Sequence, residues 1–488
     1  MQLKQFFAER KKMSENQPQR VTLLLAYVFA GLLLISFALP AQFQLVEDQT
    51  LQVPNLWALF FSEKQKTQYA DISEIEQKYQ KKPQKTENKE KSTKKNTIVV
   101  EEKIKIQYPH QKDTALYAFF RALQWVDFQK GAIRVLHYGD SQLEGDRMTA
   151  SIRAKFQEEF GGCGVGWVSV VNQPAKITLQ QKSSDNWVKT AIYGNTYRKS
   201  VKGLFGLLGN FYTYKGNSAS INIGISPFAT HDLQRKAESL KVFYRNPRQN
   251  AELNIVSQGK TYSQPLNKSN QFEWVAFDLE GNYHQLSLQF KGKNSPEIYG
   301  FALDCNDGIA FDNIPLRGSS GVEFSRIQRV YFTEQLEKMD VKMIILQFGV
   351  NIVPYIQDNY DDYEEQFYQE LKYLKSLSPS VSVLVVGVSD VSRKVGNRYE
   401  SYPNIEAIRD AQKSAAFRAG CAFWDLYEAM GGKNSMPSWV FAKPESLANK
   451  DFIHFTNKGA DIVAEMLYSA LIEEYDKFLT QEGISQKR

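Results

Sequence analysis

Ile133-Arg134-Val135-Leu136-His137-Tyr138-Gly139-Asp140-Ser141 is the stretch that decides the fold. Ile133 to Tyr138 has the pattern of a short buried strand, and Gly139-Asp140-Ser141 closes it. From Gly145 to Phe160, Met148, Ile152, Phe156 and Phe160 recur at helical spacing, and Gly161-Gly162 stops the run. Strand, tight turn and helix make the first unit of an α/β fold. The same texture returns at Val341. Met343 to Phe348 and Val381 to Val388 read as strands, and Ala422 to Leu426 as a shorter one. Tyr363 to Leu377, Ile405 to Arg418 and Asn457 to Phe478 read as helices. Such alternation predicts a parallel sheet with helices on both faces.

Between these blocks, from about Ile177 to Phe311, the period changes to two. Ser218 to Ile225, Leu240 to Tyr244, Phe272 to Phe277 and Gln285 to Phe290 alternate polar and apolar residues. Turn residues such as Asn246-Pro247 and Glu280-Gly281-Asn282 separate them. The expectation is an all-β, sandwich-like domain inserted into one α/β domain.

The N-terminal part has a different character. Val21 to Leu39 is an uncharged apolar run of about 19 residues, long enough for a helix that crosses a bilayer. Lys4, Arg10, Lys11, Lys12 and Arg20 precede it, so the flank is expected in the cytoplasm and the rest outside. A cleaved signal peptide is the rival reading, with Pro40 and Ala41 near the cleavage point, but its apolar core is usually shorter. From about Asp71 to Lys112 the chain is polar and lysine-rich, and the expectation is a mobile tether. Much of the net charge of +6 sits there, and the stretch has few aromatics, so nucleic acid is not an expected partner. Three cysteines, Cys163, Cys305 and Cys421, are too scattered for a disulfide framework or a zinc site and leave the redox compartment open.

Three short stretches carry chemistry. Ser141 and Asn351 follow strands directly, and ligands of open α/β sheets bind beyond the strands' carboxyl ends. Asp451 and His454 stand three apart just before the last helix, where the carboxylate can orient the imidazole toward a hydroxyl. Ser141 then supplies a nucleophile, and Asn351 an amide donor for an oxyanion. Gly318-Ser319-Ser320-Gly321 offers a turn with backbone N–H groups of the kind an oxyanion hole uses. Each piece has a plainer role: Ser141 or Asp451 as a helix cap, Asn351 as a turn former. With five histidines and no second His or Cys at ligand spacing near Asp451, a metal centre is the weaker reading. The Gly-x-Ser-x-Gly elbow of the α/β-hydrolases is absent.

In this order, the blocks resemble the SGNH (GDSL-type) hydrolase superfamily, over about Thr114 to Val170 and Gly318 to Tyr475. Gly139-Asp140-Ser141 matches the first block, Gly321 the glycine of the second, Asn351 the asparagine of the third, and Asp451 with His454 the last. More narrowly, the chain is similar to bacterial cell-envelope members related to peptidoglycan O-acetylesterases, which carry a β-sandwich between the first two blocks. Ser141 to Asp146, Phe160-Gly161-Gly162 and Met430 to Met436 carry a likeness to a Bacteroidetes-type branch. Two departures stand out. The second block ends Gly318-Ser319-Ser320-Gly321-Val322 instead of in Asn-Gly-Ala, and Ile352 replaces an acidic residue after Asn351.

The resemblance implies a flavodoxin-like three-layer fold and an acyl-serine mechanism without metal or cofactor. In it Ser141 is the nucleophile, His454 the base and Asp451 its orienter, and Ser141, Gly321 and Asn351 form the oxyanion hole. The expected substrate is an O-acetyl ester on peptidoglycan or another envelope glycan. The domain order expected is a cytoplasmic segment 1–20, an inner-membrane anchor 21–40, a tether 41–112, the hydrolase domain 113–175 and 318–480, and the insert 176–317, with the catalytic part in a periplasm. An acetyltransferase using the same intermediate, a lipase or thioesterase, and a non-catalytic glycan-binding or assembly protein stay open as alternatives.

Overall fold

The computed structural model describes residues 21–32, 34, 42–46, 49–52, 69–79, 104–109, 114–171, 175–197, 203–246, 248–279 and 285–484. They fall into two units, 1–68 and 69–488. In the first unit, residues 21–32 are helical, and Gln42–Val46 pairs antiparallel with Gln49–Gln52. Leu24, Leu25 and Tyr27 on that helix are exposed. Among the described residues no helix is long and apolar enough to cross a membrane, so the expected anchor gains no support. Most of the remainder of the Val21–Leu39 run, and the alternative cleavage point, lie outside the described residues.

The second unit is built on one sheet. We label its strands β1 (Ile106–Gln107), β2 (Ile133–Gly139), β3 (Ile309–Pro315), β4 (Val341–Gln347), β5 (Ser382–Val386) and β6 (Ala422–Trp424). Their order is β3-β2-β4-β5-β6-β1, parallel except for β1. Every residue of β2 is buried, as a central parallel strand covered on both faces requires. Alternate side chains then serve opposite layers. Ile133 and Val135 pack with the helices Tyr117–Trp125, Arg147–Phe160 and Asn457–Gln481. Leu136 and Tyr138 pack with Arg329–Lys338, Asp361–Lys375 and Ile405–Arg418. The three layers expected from the strand–helix alternation are therefore present.

The tether needs correction. Ser73–Tyr79 is a helix, with Ile72 and Ile75 buried in the core, and β1 adds an antiparallel edge to β6 through Ile106 and Gln107. Ile104, Ile106 and Tyr108 alternate with Lys105 and Gln107, a short period set in a lysine-rich stretch, yet enough to dock a short edge strand. Residues 80–103 lie outside the described residues.

The insert is two antiparallel sheets of six and five strands around a core that includes Ile221, Leu240, Val242, Leu253, Ile255, Leu286 and Leu288. Its limits differ from the expected 176–317. Gly164–Val168 already pairs with Glu297–Asp304 inside the insert, whereas β3 pairs with β2 in the parallel sheet. The insert therefore runs from 164 to 304, and β3, placed by its sequence in the β block or just after it, returns the chain to the α/β domain. A short apolar run buried on both sides gives no period by which to assign it to one sheet or the other. Gly164 (φ +87) is required where the chain enters, since a Cβ there would stand 2.0 Å from the Leu303 carbonyl oxygen.

The root of the insert is fixed twice. A disulfide joins Cys163 to Cys305, with Cα atoms 5.0 Å apart across a sequence separation of 142 residues. Within the sheet, the buried Arg134 guanidinium pairs with Asp304 and, at 2.6 Å, with Asp312. Asp312 also accepts the Trp167 amide at 2.8 Å. Strand β2, strand β3 and both ends of the insert thus share one compensated charge cluster, where a single lost partner would leave a buried charge unpaired. Cys421 stays a free, buried thiol, pushed by that burial up to about 12.

Candidate active site

The carboxyl end of β2 delivers Ser141, the expected nucleophile. After Gly139 the chain turns into a 3-10 segment, Ser141–Asp146. Asp140 caps it by accepting the Gln142 amide at 3.0 Å, while its other oxygen accepts the Val350 amide at 3.3 Å. One buried carboxylate thereby ties the Ser141 turn to the loop after β4, which carries Asn351. Burial pushes Asp140 up to about 7, against the pull of these amide bonds. As the first residue of its turn, Ser141 also has an amide without an intrahelical partner.

The imidazole arrives on a tight loop before the last helix. Asp451 Oδ1 accepts the amides of Ile453 and His454, each at 3.0 Å, which shapes the loop with Phe452 in the left-handed region (φ +59). Asp451 Oδ2 lies 2.8 Å from His454 Nδ1. Partial burial raises the carboxyl's pKa, but the ring and amide hydrogen bonds outweigh it and hold Asp451 below its usual range. With Nδ1–H donated to Asp451, Nε2 is left as the acceptor, and it stands 2.7 Å from Ser141 Oγ. Ser141, His454 and Asp451 therefore form one hydrogen-bonded chain, as their types and order in the sequence suggested.

Asn351 and Gly321 are brought to the same end of the sheet, with different results. The Asn351 side-chain amide donates to the Ser319 carbonyl at 2.9 Å, which fixes the group and leaves its second N–H. The Gly321 amide donates to the Ser319 hydroxyl at 3.0 Å, and that hydroxyl donates onward to Glu323 at 2.6 Å. The expected oxyanion donor is thus engaged inside its own loop, as a serine two residues upstream favours. Gly321 is still sterically required: at φ +86, an added Cβ would stand 2.8 Å from the Phe348 ring.

Two positioning residues were missed by the sequence reading. Gln142, next to Ser141 and buried, donates to the Ile453 carbonyl at 2.7 Å and to Ser389 Oγ at 3.1 Å, and accepts the Phe455 amide at 3.4 Å. It grips the residues on either side of His454. Arg147 donates to the Phe455 carbonyl at 2.6 Å and to the Glu144 carbonyl at 3.0 Å. The available signal was the polar residues Gln142, Glu144, Asp146 and Arg147 in a strand-to-helix turn, which should bury its contacts. Among the described residues, no group of three or more His, Cys, Asp or Glu is placed to hold a metal ion.

Neither protein-family models nor curated protein sequences match the chain. Solved structures do. A peptidoglycan O-acetylesterase matches with TM-score 0.59 and 23% identity, over 74% of this chain and 96% of its own. That coverage exceeds what the α/β segments alone span, so the shared fold takes in the insert. An acetyl xylan esterase matches with TM-score 0.26 and 16% identity, over 33% of this chain and 81% of its own. A GDSL-like lipase from Parabacteroides merdae matches with TM-score 0.25 and 15% identity, over 34% and 74%. The likeness to the peptidoglycan O-acetylesterase is one of fold.

Proposed function

We propose that this protein is a serine esterase that removes O-acetyl groups from peptidoglycan or another cell-envelope glycan. The observation that carries the reading is the Ser141–His454–Asp451 chain, with contacts of 2.7 and 2.8 Å, at the carboxyl edge of the sheet. The fold shared with a peptidoglycan O-acetylesterase supports the substrate class. His454 Nε2 takes the Ser141 proton as Oγ attacks the ester carbonyl. The Ser141 amide and the second Asn351 N–H hold the oxyanion, and Gly321 joins them only if its amide gives up Ser319. Collapse expels the sugar alcohol, which takes the proton from His454. Water, activated by the same imidazole, then releases acetate from acetyl-Ser141.

The catalytic unit is placed outside the cytoplasmic membrane in this proposal. The Cys163–Cys305 disulfide fits an oxidising compartment, and the cationic flank before the Val21–Leu39 run fits export with that run as an anchor. Acetate release from O-acetylated peptidoglycan, beside simple aryl acetates, tests the function. Turnover of both, absent in Ser141→Ala, supports it. Inactivity on every acetyl ester contradicts it and leaves a glycan-binding role.

A further inference from the structure

A cavity of about 310 Å³ lies between the insert and the α/β domain, beside the nucleophile turn. It shares Gly145 with that turn, and its floor is Asn313 to Pro315 at the carboxyl end of β3, where Pro315 stands in register with Gly139. Asn313 donates to the Leu143 carbonyl at 3.0 Å, so this wall is bonded directly to the turn that carries Ser141. The opposite wall belongs to the insert and includes Trp187, Lys189, Asn210 and Tyr212. The volume is at the lower end of the range of small-ligand sites.

Its polar groups are unevenly matched. Asn210 and Asn313 are 6% and 2% exposed, and the side-chain oxygen of each has no hydrogen-bond partner among the described residues. Their amide nitrogens are used, by the Leu208 carbonyl in one case and by Leu143 and Thr149 in the other. Both oxygens are themselves closed to solvent, so they belong to the buried wall behind the cavity. The same lining holds two lysines, Lys176 and Lys189, and no acidic residue. Lys176 lies near the Asp146 carboxylate, which already receives both nitrogens of Arg153 at 2.9 Å and the Thr178 hydroxyl at 2.7 Å. Lys189 makes no ion pair with any described residue. Trp187 adds an apolar ring, its N–H directed to the Ser220 carbonyl at 3.3 Å.

We propose that this cavity is a subsite for a carboxylate-bearing sugar residue of the substrate glycan, next to the acetylated position. The carboxylate meets Lys189, and a sugar C–H face lies on Trp187. Inorganic phosphate or sulfate would satisfy the lysine but has no C–H face to lie on the Trp187 ring, which favours a sugar. The inference rests on the reading of the triad as a glycan esterase.

The test compares parent and Lys189→Glu on three substrates: an aryl acetate, an O-acetylated oligosaccharide with free carboxylates, and the same oligosaccharide with its carboxylates amidated. Lys189→Glu should raise KM for the free-acid glycan about tenfold or more, with kcat and aryl acetate turnover unchanged. The amidated glycan should bind the parent more weakly and respond little to the variant. Equal KM values for both glycans with the parent, or an equal effect of Lys189→Glu on both, overturn the subsite. Calorimetry of deacetylated free-acid and amidated glycan on full-length Ser141→Ala gives a separate readout. If the parent hydrolyses no ester but the free acid binds in preference, the esterase reading falls and the subsite stands. If neither glycan is preferred, the subsite falls whatever the esterase result.

Discussion

Gln142→Met isolates the grip on the His454 loop. Methionine nearly conserves the volume of this buried side chain, so packing changes little. What disappears is the donor to the Ile453 carbonyl (2.7 Å), the donor to Ser389 (3.1 Å) and the acceptor for the Phe455 amide (3.4 Å). At a net value of about 1 kcal/mol each, roughly 3 kcal/mol of restraint leaves the residues flanking His454. Asp451 remains, but its bonds are all within the loop and cannot hold it against Ser141. A factor of ten in rate corresponds to about 1.4 kcal/mol, so kcat should fall by between tenfold and a hundredfold. KM should change less than twofold or so, because Gln142 is buried beneath the turn. Steady-state kinetics on an aryl acetate, with a thermal melt to confirm folding, gives the answer. A folded Gln142→Met with kcat within about twofold of the parent would refute the reasoning.

Three further outcomes follow from the geometry. His454→Ala should lower kcat by several orders of magnitude and Asp451→Asn by less, because the loop amides persist when the ring loses its carboxylate; equal, near-parental rates would remove both from the mechanism. Asp140, raised by burial to about 7 against an unfolded value near 3.9, binds its proton more tightly when folded. Its stabilising contribution is complete below about pH 4 and is lost as pH rises through about 7, so the unfolding free energy of the parent from urea titrations should fall over that range relative to Asp140→Asn, by of order 4 kcal/mol; identical pH dependences would contradict this. Replacing Cys163 and Cys305 by serine frees a loop of 142 residues and should cost up to about 5 kcal/mol on the chain-entropy account, read as a lower urea midpoint that reductant no longer changes.

The α/β frame and the hydrogen-bonded Ser141–His454–Asp451 chain were legible because both rest on local patterns. Apolar runs such as Met343 to Phe348 end just before the candidate site residues, and Asp451 and His454 are neighbours on one loop. The β insert was visible by its period, but its limits were not. Strand β3 pairs with β2, more than 170 residues earlier, and only the tertiary pairing shows which sheet it joins. The Cys163–Cys305 bond is hidden for the same reason, since nothing near either cysteine points across 142 residues. Ile104 and Ile106 were obscured by the lysines around them. Gly321 shows the converse failure: its block position suggested an open amide, and Ser319, two residues before it, takes that amide.

The central claim is that Ser141 carries the acetyl group. Rapid acid quench of the full chain during turnover of an aryl acetate, followed by mass analysis of the intact protein and its peptides, tests it most directly. The account predicts a transient gain of one acetyl mass, mapped to Ser141, and no such species in Ser141→Ala or His454→Ala. Turnover that proceeds with no acetyl-protein at any quench time, or with the adduct on another residue and undiminished in Ser141→Ala, would contradict it.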